Sequence, residues 1–249
     1  MAIQYVFGTI GNAGMSYSER INANLVNIYT YCCTCDDTVG YVDFQNRIQT
    51  NCGVSASNVR MYSPFLFAHG FINNYKDGAQ IKVSEYFTPL GKAYAKSLIV
   101  ASMLEDASQK ALADNITQDI LALSLFSRKK IGPKDYYFDF LKFCIKYNTI
   151  SVKEFNYMLY EKEMQKNTDC INSISEIIQQ FRNGEIDFDF LQDRTNKQGS
   201  QVRERFPDNT FNYTRSLLVE AGLIVETGNR EYKINPRAEQ IVLKLVEEA

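Results

Sequence analysis

Between Tyr41 and Leu104 the chain sets out, in fixed order, two short apolar repeats joined by a glycine, an alternating segment folded about a second glycine, and a proline-opened helix. Asp43 to Thr50 places Phe44 and Ile48 four residues apart, on one face of a short amphipathic helix. Cys52-Gly53-Val54 follows as a corner, where Gly53 can take the positive φ that a tight helix-helix turn needs. Ser55 or Ser57 then offers an N-cap oxygen to a second helix, Asn58 to His69, which Gly70 closes. Phe71 to Tyr75, a Lys76-Asp77-Gly78 turn and Ala79 to Val83 predict a two-stranded hairpin. Thr88 and Pro89 open the next helix as cap and first-turn residue. Helix, turn, helix, hairpin, helix is the order of a winged helix-turn-helix, a fold that often lays its second helix against DNA.

In that second helix the polar positions are Asn58, Arg60, Tyr62 and Ser63. Asparagine suits adenine and arginine suits guanine, each through two hydrogen bonds. A solvated surface is the alternative for Asn58 and Arg60, and the sequence leaves both open. Pro64 removes a donor from the helix, which predicts a kink near Tyr62-Ser63 or a restart capped by Ser63.

At 249 residues the chain exceeds one typical domain. No apolar run approaches the ~20 residues that span a bilayer, and Met1 to Gly14 lacks a basic region followed by an apolar core. Six cysteines without such a leader lead to the expectation of reduced thiols in a cytoplasmic protein with no membrane partner. The net charge of −2 argues against indiscriminate coating of nucleic acid, which needs a basic surface. Two local patches remain. Cations outnumber anions between Tyr41 and Leu104, where Arg47 lies, and between Arg194 and Arg215, where Arg194, Lys197, Arg203 and Arg205 are candidate phosphate contacts.

Elsewhere the pattern is mostly helical. Residues 1–17 read as an arm packed on the body or as a mobile terminus. Glu19 to Tyr31 has Ile21, Leu25 and Ile28 at helical spacing, ending at Cys32-Cys33-Thr34-Cys35. Those thiols, with Cys52, do not give the two spaced pairs of a structural zinc site, so a buried helix end is expected and no metal. Ala93 to Leu112 predicts one long helix and Ile116 to Phe126 another; Pro133 opens a third, ending at Tyr147, with an apolar stripe of Tyr137, Phe140, Leu141 and Cys144. Ser151 and Glu154 make a capping box, giving a second helix-turn-helix-like core without a wing of its own. Asp169 to Arg182 predicts an amphipathic helix, Asp187 to Leu191 a short helix or docking loop, and Gln192 to Phe206 a mobile basic loop.

Thr210 to Ala221 predicts a helix, followed by a hairpin turning at Thr227-Gly228-Asn229 and a terminal helix opened by Pro236. Ala68-His-Gly-Phe-Ile72 parallels Glu220-Ala-Gly-Leu-Ile224, so the first unit's order recurs. The expected fold is mainly α with small β-hairpin wings: tandem winged helix-turn-helix units at 1–112 and 193–249, joined by a helical middle at 113–192.

Signals for catalysis are sparse. Pro207-Asp208 is followed, after 22 intervening residues, by Glu231-Tyr232-Lys233, the bare spacing of a PD-(D/E)xK nuclease, in which two carboxylates hold a metal. Asp208, however, precedes a helix and reads as an N-terminal cap. The only histidine, His69, stands at a helix end, where an imidazolium would suit the dipole. Gly8, Gly11 and Gly14 repeat at the wrong place for a phosphate loop and without a lysine. No catalytic residue is assigned.

Ile28 to Ile48, Phe71 to Ser97 and Tyr213 to Ile241 resemble the DNA-recognition portions of type IIS restriction endonucleases, those similar to FokI and BpuJI. The likeness covers about half the chain. It implies tandem winged helices that read an asymmetric double-stranded DNA site, with cleavage by a separate nuclease domain or subunit. No cofactor is implied for this chain, and Mg2+ only for the attached nuclease. By the same resemblance Asn58, Arg60 and Tyr62 read bases in the first unit and Asn212, Tyr213 and Arg215 in the last, while Lys76 and Lys82 hold phosphate near the wing. Pro64 departs from a clean reading helix. The alternatives are a winged-helix transcriptional regulator or protein-interaction scaffold and, third, the nuclease.

Overall fold

In the computed structural model, which describes residues 2–8, 17–76, 78–126, 128, 136–196 and 198–247, the chain is mainly helical with small sheets. Asp77, Lys197, Gly11, Gly14 and Pro133 lie outside the described residues. After the strand β1 (Ala2–Phe7), helix α1 (Glu19–Cys32) buries Ile21, Leu25 and Ile28. The short strand β2 (Thr38–Gly40) leads into α2 (Tyr41–Cys52), which turns at Gly53 (φ 68°) into α3 (Ala56–Ala68). Strand β3 (Gln80–Lys82) then returns to pair with β2, setting Val39 opposite Ile81 in the core.

That pairing corrects the expected first hairpin. Ala79 to Val83 does not pair with Phe71 to Tyr75. Ile72 instead bridges Phe87, and the Asn73 N–H donates to Tyr86 C=O at 2.9 Å. Phe71 and Ile72 are both buried, as are Val83, Tyr86 and Phe87, so the apolar side chains meet best in the longer register. A turn reading at Asp77-Gly78 missed this because partner choice is decided by burial farther along the chain.

Thr88 caps α4 (Pro89–Met103) as expected, accepting the Gly91 N–H at 3.0 Å. The expected single helix from Ala93 to Leu112 is two, because Asp106 Oδ1 accepts from the Ser108 and Gln109 N–H groups and starts α5 (Ala107–Phe126) afresh. Next come α6 (Tyr137–Tyr147), β4 (Thr149–Ile150) and α7 (Val152–Glu163), which has the predicted capping box of Ser151 and Glu154. Two short helices follow, α8 (Cys170–Ser173) and α9 (Ser175–Arg182).

Asp187 to Phe206 is neither a short helix nor a mobile loop but a β-hairpin, β5 (Asp187–Thr195) and β6 (Gln201–Arg205). Phe188 and Phe190 alternate inward, and the charges that suggested a loop are complementary across the strands, with Asp193 opposite Arg203. Of the N-terminal arm, Ala2–Phe7 form β1, parallel to β5, with Phe7 stacked on Phe206 at 3.9 Å between centroids.

Helix α10 (Asn209–Glu220), strands β7 (Ile224–Gly228) and β8 (Glu231–Ile234), and α11 (Glu239–Glu247) complete the fold. Strand β4 pairs with β8, giving the sheet order β4-β8-β7, and Phe140 of α6, Phe155 of α7 and Phe211 of α10 meet in one cluster. These contacts run across the expected boundary at residue 192: α6 and α7 pack with α10 and the last hairpin, and α8, α9, β5 and β6 are inserted between α7 and α10.

Gly91 marks where α4 seats on the chain leaving α3. A Cβ there would lie 2.0 Å from the Phe71 carbonyl oxygen, a backbone atom that cannot swing aside. Gly91→Ala is expected to cost about 1–3 kcal/mol, as overpacking does, measured as a lower denaturant midpoint with an unchanged slope.

Candidate nucleic-acid interface

Ser55 Oγ accepts the Asn58 N–H at 3.2 Å and so sets the phase of α3. In that phase Val59, Tyr62, Ser63 and Leu66 turn inward, while Ser57, Arg60 and Met61 are exposed and Asn58 is half-buried. Tyr62 is therefore not on display. It is 4% exposed, and its hydroxyl accepts from Asn24 Nδ2 at 3.0 Å. Three- and four-residue spacing puts position 62 beside 59 and 66 on the inner stripe, which its hydroxyl concealed. The expected restart at Pro64 is absent: α3 runs through it, and Ser63 Oγ donates to Val59 C=O at 2.7 Å.

On α10 the inward residues are Phe211, Thr214, Leu217 and Leu218, leaving Asn212, Tyr213 and Arg215 half-buried. Arg215 Nε donates to Asn212 Oδ1 at 3.3 Å, and its guanidinium lies 5.4 Å from the centre of the Tyr232 ring. The two candidate helices share a neighbour. Tyr17 packs against Phe65 of α3, at 5.5 Å between centroids, and its N–H donates to Ser216 Oγ of α10 at 2.8 Å.

Most of the candidate phosphate contacts already have carboxylate partners. Arg47 lies 2.6 Å from Asp37, Lys82 2.7 Å from Glu85 and Arg194 2.8 Å from Glu204. Arg203 grips both oxygens of Asp193, at 2.7 and 3.0 Å, and its hydrogen bonds hold that carboxyl below the usual range. Lys76 and Arg205 are exposed and, among the described residues, have no ion-pair partner.

Asp208 occupies the N-cap position of α10 but makes no capping bond; it pairs instead with Arg230 at 3.3 Å. Glu231 is exposed and Lys233 half-buried on β8. Cys32 is buried at the end of α1, where burial pushes its thiol up, whereas Cys33 is exposed and Cys35 and Cys52 are half-buried. Among the described residues no three metal-ligating side chains come together, and no helix is long and apolar enough to cross a membrane. The sequence reading passed over Asn156, buried on α7 between Phe155 and the equally buried Tyr157. A lone amide in an apolar run was the only signal it gave. Comparison of the chain with protein-family models, curated proteins and solved structures gave no match.

His69 does stand at the C-cap of α3, but not as an imidazolium. It is fully buried against Phe65, and its Nδ1 lies 2.9 Å from Ser124 Oγ of α5. Burial, reinforced by the Arg128 charge, holds it well below its ordinary value of 6.5. As pH falls below 6.5 the unfolded chain takes up a proton that the folded chain refuses, so stability declines; above 6.5 this group contributes no slope. With a single histidine in the chain, thermal unfolding followed from about pH 7 to about pH 5.5 should show a falling Tm. His69→Gln, which keeps a polar partner for Ser124 and does not titrate, should flatten that fall.

Proposed function

We propose that the chain is a tandem winged-helix module that binds double-stranded DNA in a sequence-specific way. One observation carries the reading: in both halves a helix and a short strand are followed by further helices and then by a strand that pairs back with that short strand, although only the second half closes with a two-stranded hairpin. In the first copy α1, β2, α2 and α3 lead to β3, which pairs with β2. In the second α6, β4 and α7 lead, past the insertion, to α10, β7 and β8, which pairs with β4. Helices α3 and α10 are then the equivalent reading helices. Arg60 and Asn58 are the base contacts of the first, Asn212, Tyr213 and Arg215 those of the second, and Lys76 and Arg205 the readiest phosphate contacts. Service to a restriction endonuclease rests on the resemblance alone. In that extension, cleavage and its Mg2+ belong to a separate nuclease domain or subunit.

A second reading, a protein-interaction scaffold, is favoured by the α4–α5 pair, where Val100, Met103, Leu112, Ile116 and Leu123 are all exposed. Salt separates the two. A module gripping four phosphates should lose about 100-fold in duplex affinity between about 50 and 200 mM salt, whereas a scaffold shows no duplex binding to lose. Arg60→Ala should cost about 1–3 kcal/mol and relax the preference at one base pair. A uniform loss over all duplexes would make Arg60 a phosphate contact instead.

A further inference from the structure

At the base of the β5–β6 hairpin lies a cleft of about 380 Å³ whose polar groups are not used up by the protein itself. Strand β6 begins its pairing at Leu191 of β5, and beyond it only the Phe206 N–H reaches back, to Phe190 C=O at 2.8 Å. Asp187 to Asp189 therefore pair with β1 on one side and border the cleft on the other. The first turn of α7 and the buried rings of Phe190 and Phe206 supply further walls.

Two of the charges here are spent. Lys153 is bonded to Asp187, and Asp208 to Arg230. Three groups are not. Asn156 is 3% exposed and lines the cleft, and its Oδ1 is buried without a hydrogen-bond partner. Arg205 has no ion-pair partner among the described residues, and Asp189 accepts only one side-chain bond, from Gln4 at 3.2 Å. Arg205 stands opposite Leu191, so Asp189, two residues earlier, is its diagonal neighbour on the same face of the sheet, with about 7–8 Å between their Cα atoms.

A ligand that answers all three presents acceptors to a guanidinium, donors to a carboxylate and a polar edge to an amide. Guanine does so: O6 and N7 suit arginine, and the 2-amino and N1–H groups suit a carboxylate. Adenine would turn the lone pair of its N1 toward the carboxylate. The volume is near the lower end of ligand pockets, which suits a base with its sugar. We propose that this cleft binds a guanine base, from a free guanine nucleotide or from an unstacked position of a nucleic-acid strand.

The test is calorimetric titration of the full chain with GMP, AMP, CMP and UMP. GMP should saturate and bind at least about 10-fold tighter than AMP, and Asp189→Asn should weaken GMP by about 10-fold or more, as loss of one two-bond base contact does. Asn156→Leu should weaken it too; if that variant fails to fold, Asp189→Asn, at a half-exposed site, still decides. Equal binding of all four nucleotides, no saturation by GMP, or wild-type GMP affinity in Asp189→Asn overturns the proposal. A thymine oligonucleotide carrying a single guanine identifies the source. Tighter binding than GMP assigns the site to a strand, and binding no tighter assigns it to the free nucleotide. No duplex enters these titrations, so their failure leaves the DNA-module reading standing.

Discussion

The second half of the fold depends on one guanidinium. Arg182, at the end of α9, donates from Nε to Glu154 Oε1 at 2.6 Å, from one terminal nitrogen to Tyr147 C=O at 2.7 Å, and from the other to Thr149 C=O at 2.7 Å. Tyr147 is the last residue of α6, whose carbonyl has no partner within the helix. Glu154 accepts the Ser151 N–H through its other oxygen, completing the α7 cap. A single planar fork thus closes α6, fixes β4 and neutralises a carboxylate whose side chain is only 4% exposed. Without it the buried charge would stand alone, a loss on the order of 3–5 kcal/mol. Because Arg182 belongs to the insertion, the insertion is a structural part of the unit it interrupts.

The halves of the molecule meet over a smaller polar seam. The hydroxyls of Tyr17 and Tyr94 are 2.6 Å apart, and both bond to Asn22 Oδ1, at 2.8 and 3.0 Å. Asn22 Nδ2 in turn donates to Glu220 Oε1 at 3.0 Å, reaching the end of α10. Burial raises both tyrosines, so they remain neutral donors, and raises Glu220 as well. A buried network of this kind fixes geometry because each group is costly to leave unpaired. It sets α1, α4 and α10 in one relation, and Tyr17 carries that relation on to α3.

What the sequence made legible was local. Caps at Ser55, Thr88 and Ser151 act over three residues, and the glycine corner at 53 acts on itself, so both could be read in place. The strands β1, β5 and β6 could not. β1 finds a partner 185 residues away, and the polar composition of β5 and β6 shows as strand only when their charges are set opposite one another. The break at Asp106 was readable, as an aspartate ahead of two N–H groups, but the apolar repeat continuing on either side outweighed it. For the interface, the exposure of Arg60 followed from periodicity. The burial of Tyr62 followed from the same periodicity and was lost to the polarity of one atom.

Ion pairing also changes what a basic patch can mean. Arg47, Lys82, Arg194 and Arg203 counted as free charge along the chain, yet each faces a carboxylate. Exchanging an exposed carboxylate for a phosphate costs little, because both pairs are solvated. The carboxylate left behind nevertheless repels the phosphate that displaced it, so such a pair attracts a polyanion far less than its cation alone would. Among the described candidate contacts, attraction then concentrates on those without an ion-pair partner, such as Arg60 on α3, Lys76 after it and Arg205 at the cleft. On the proposed reading, discrimination among duplexes would rest on base edges more than on the backbone, since a chain of net charge −2 offers little general attraction to a polyanion.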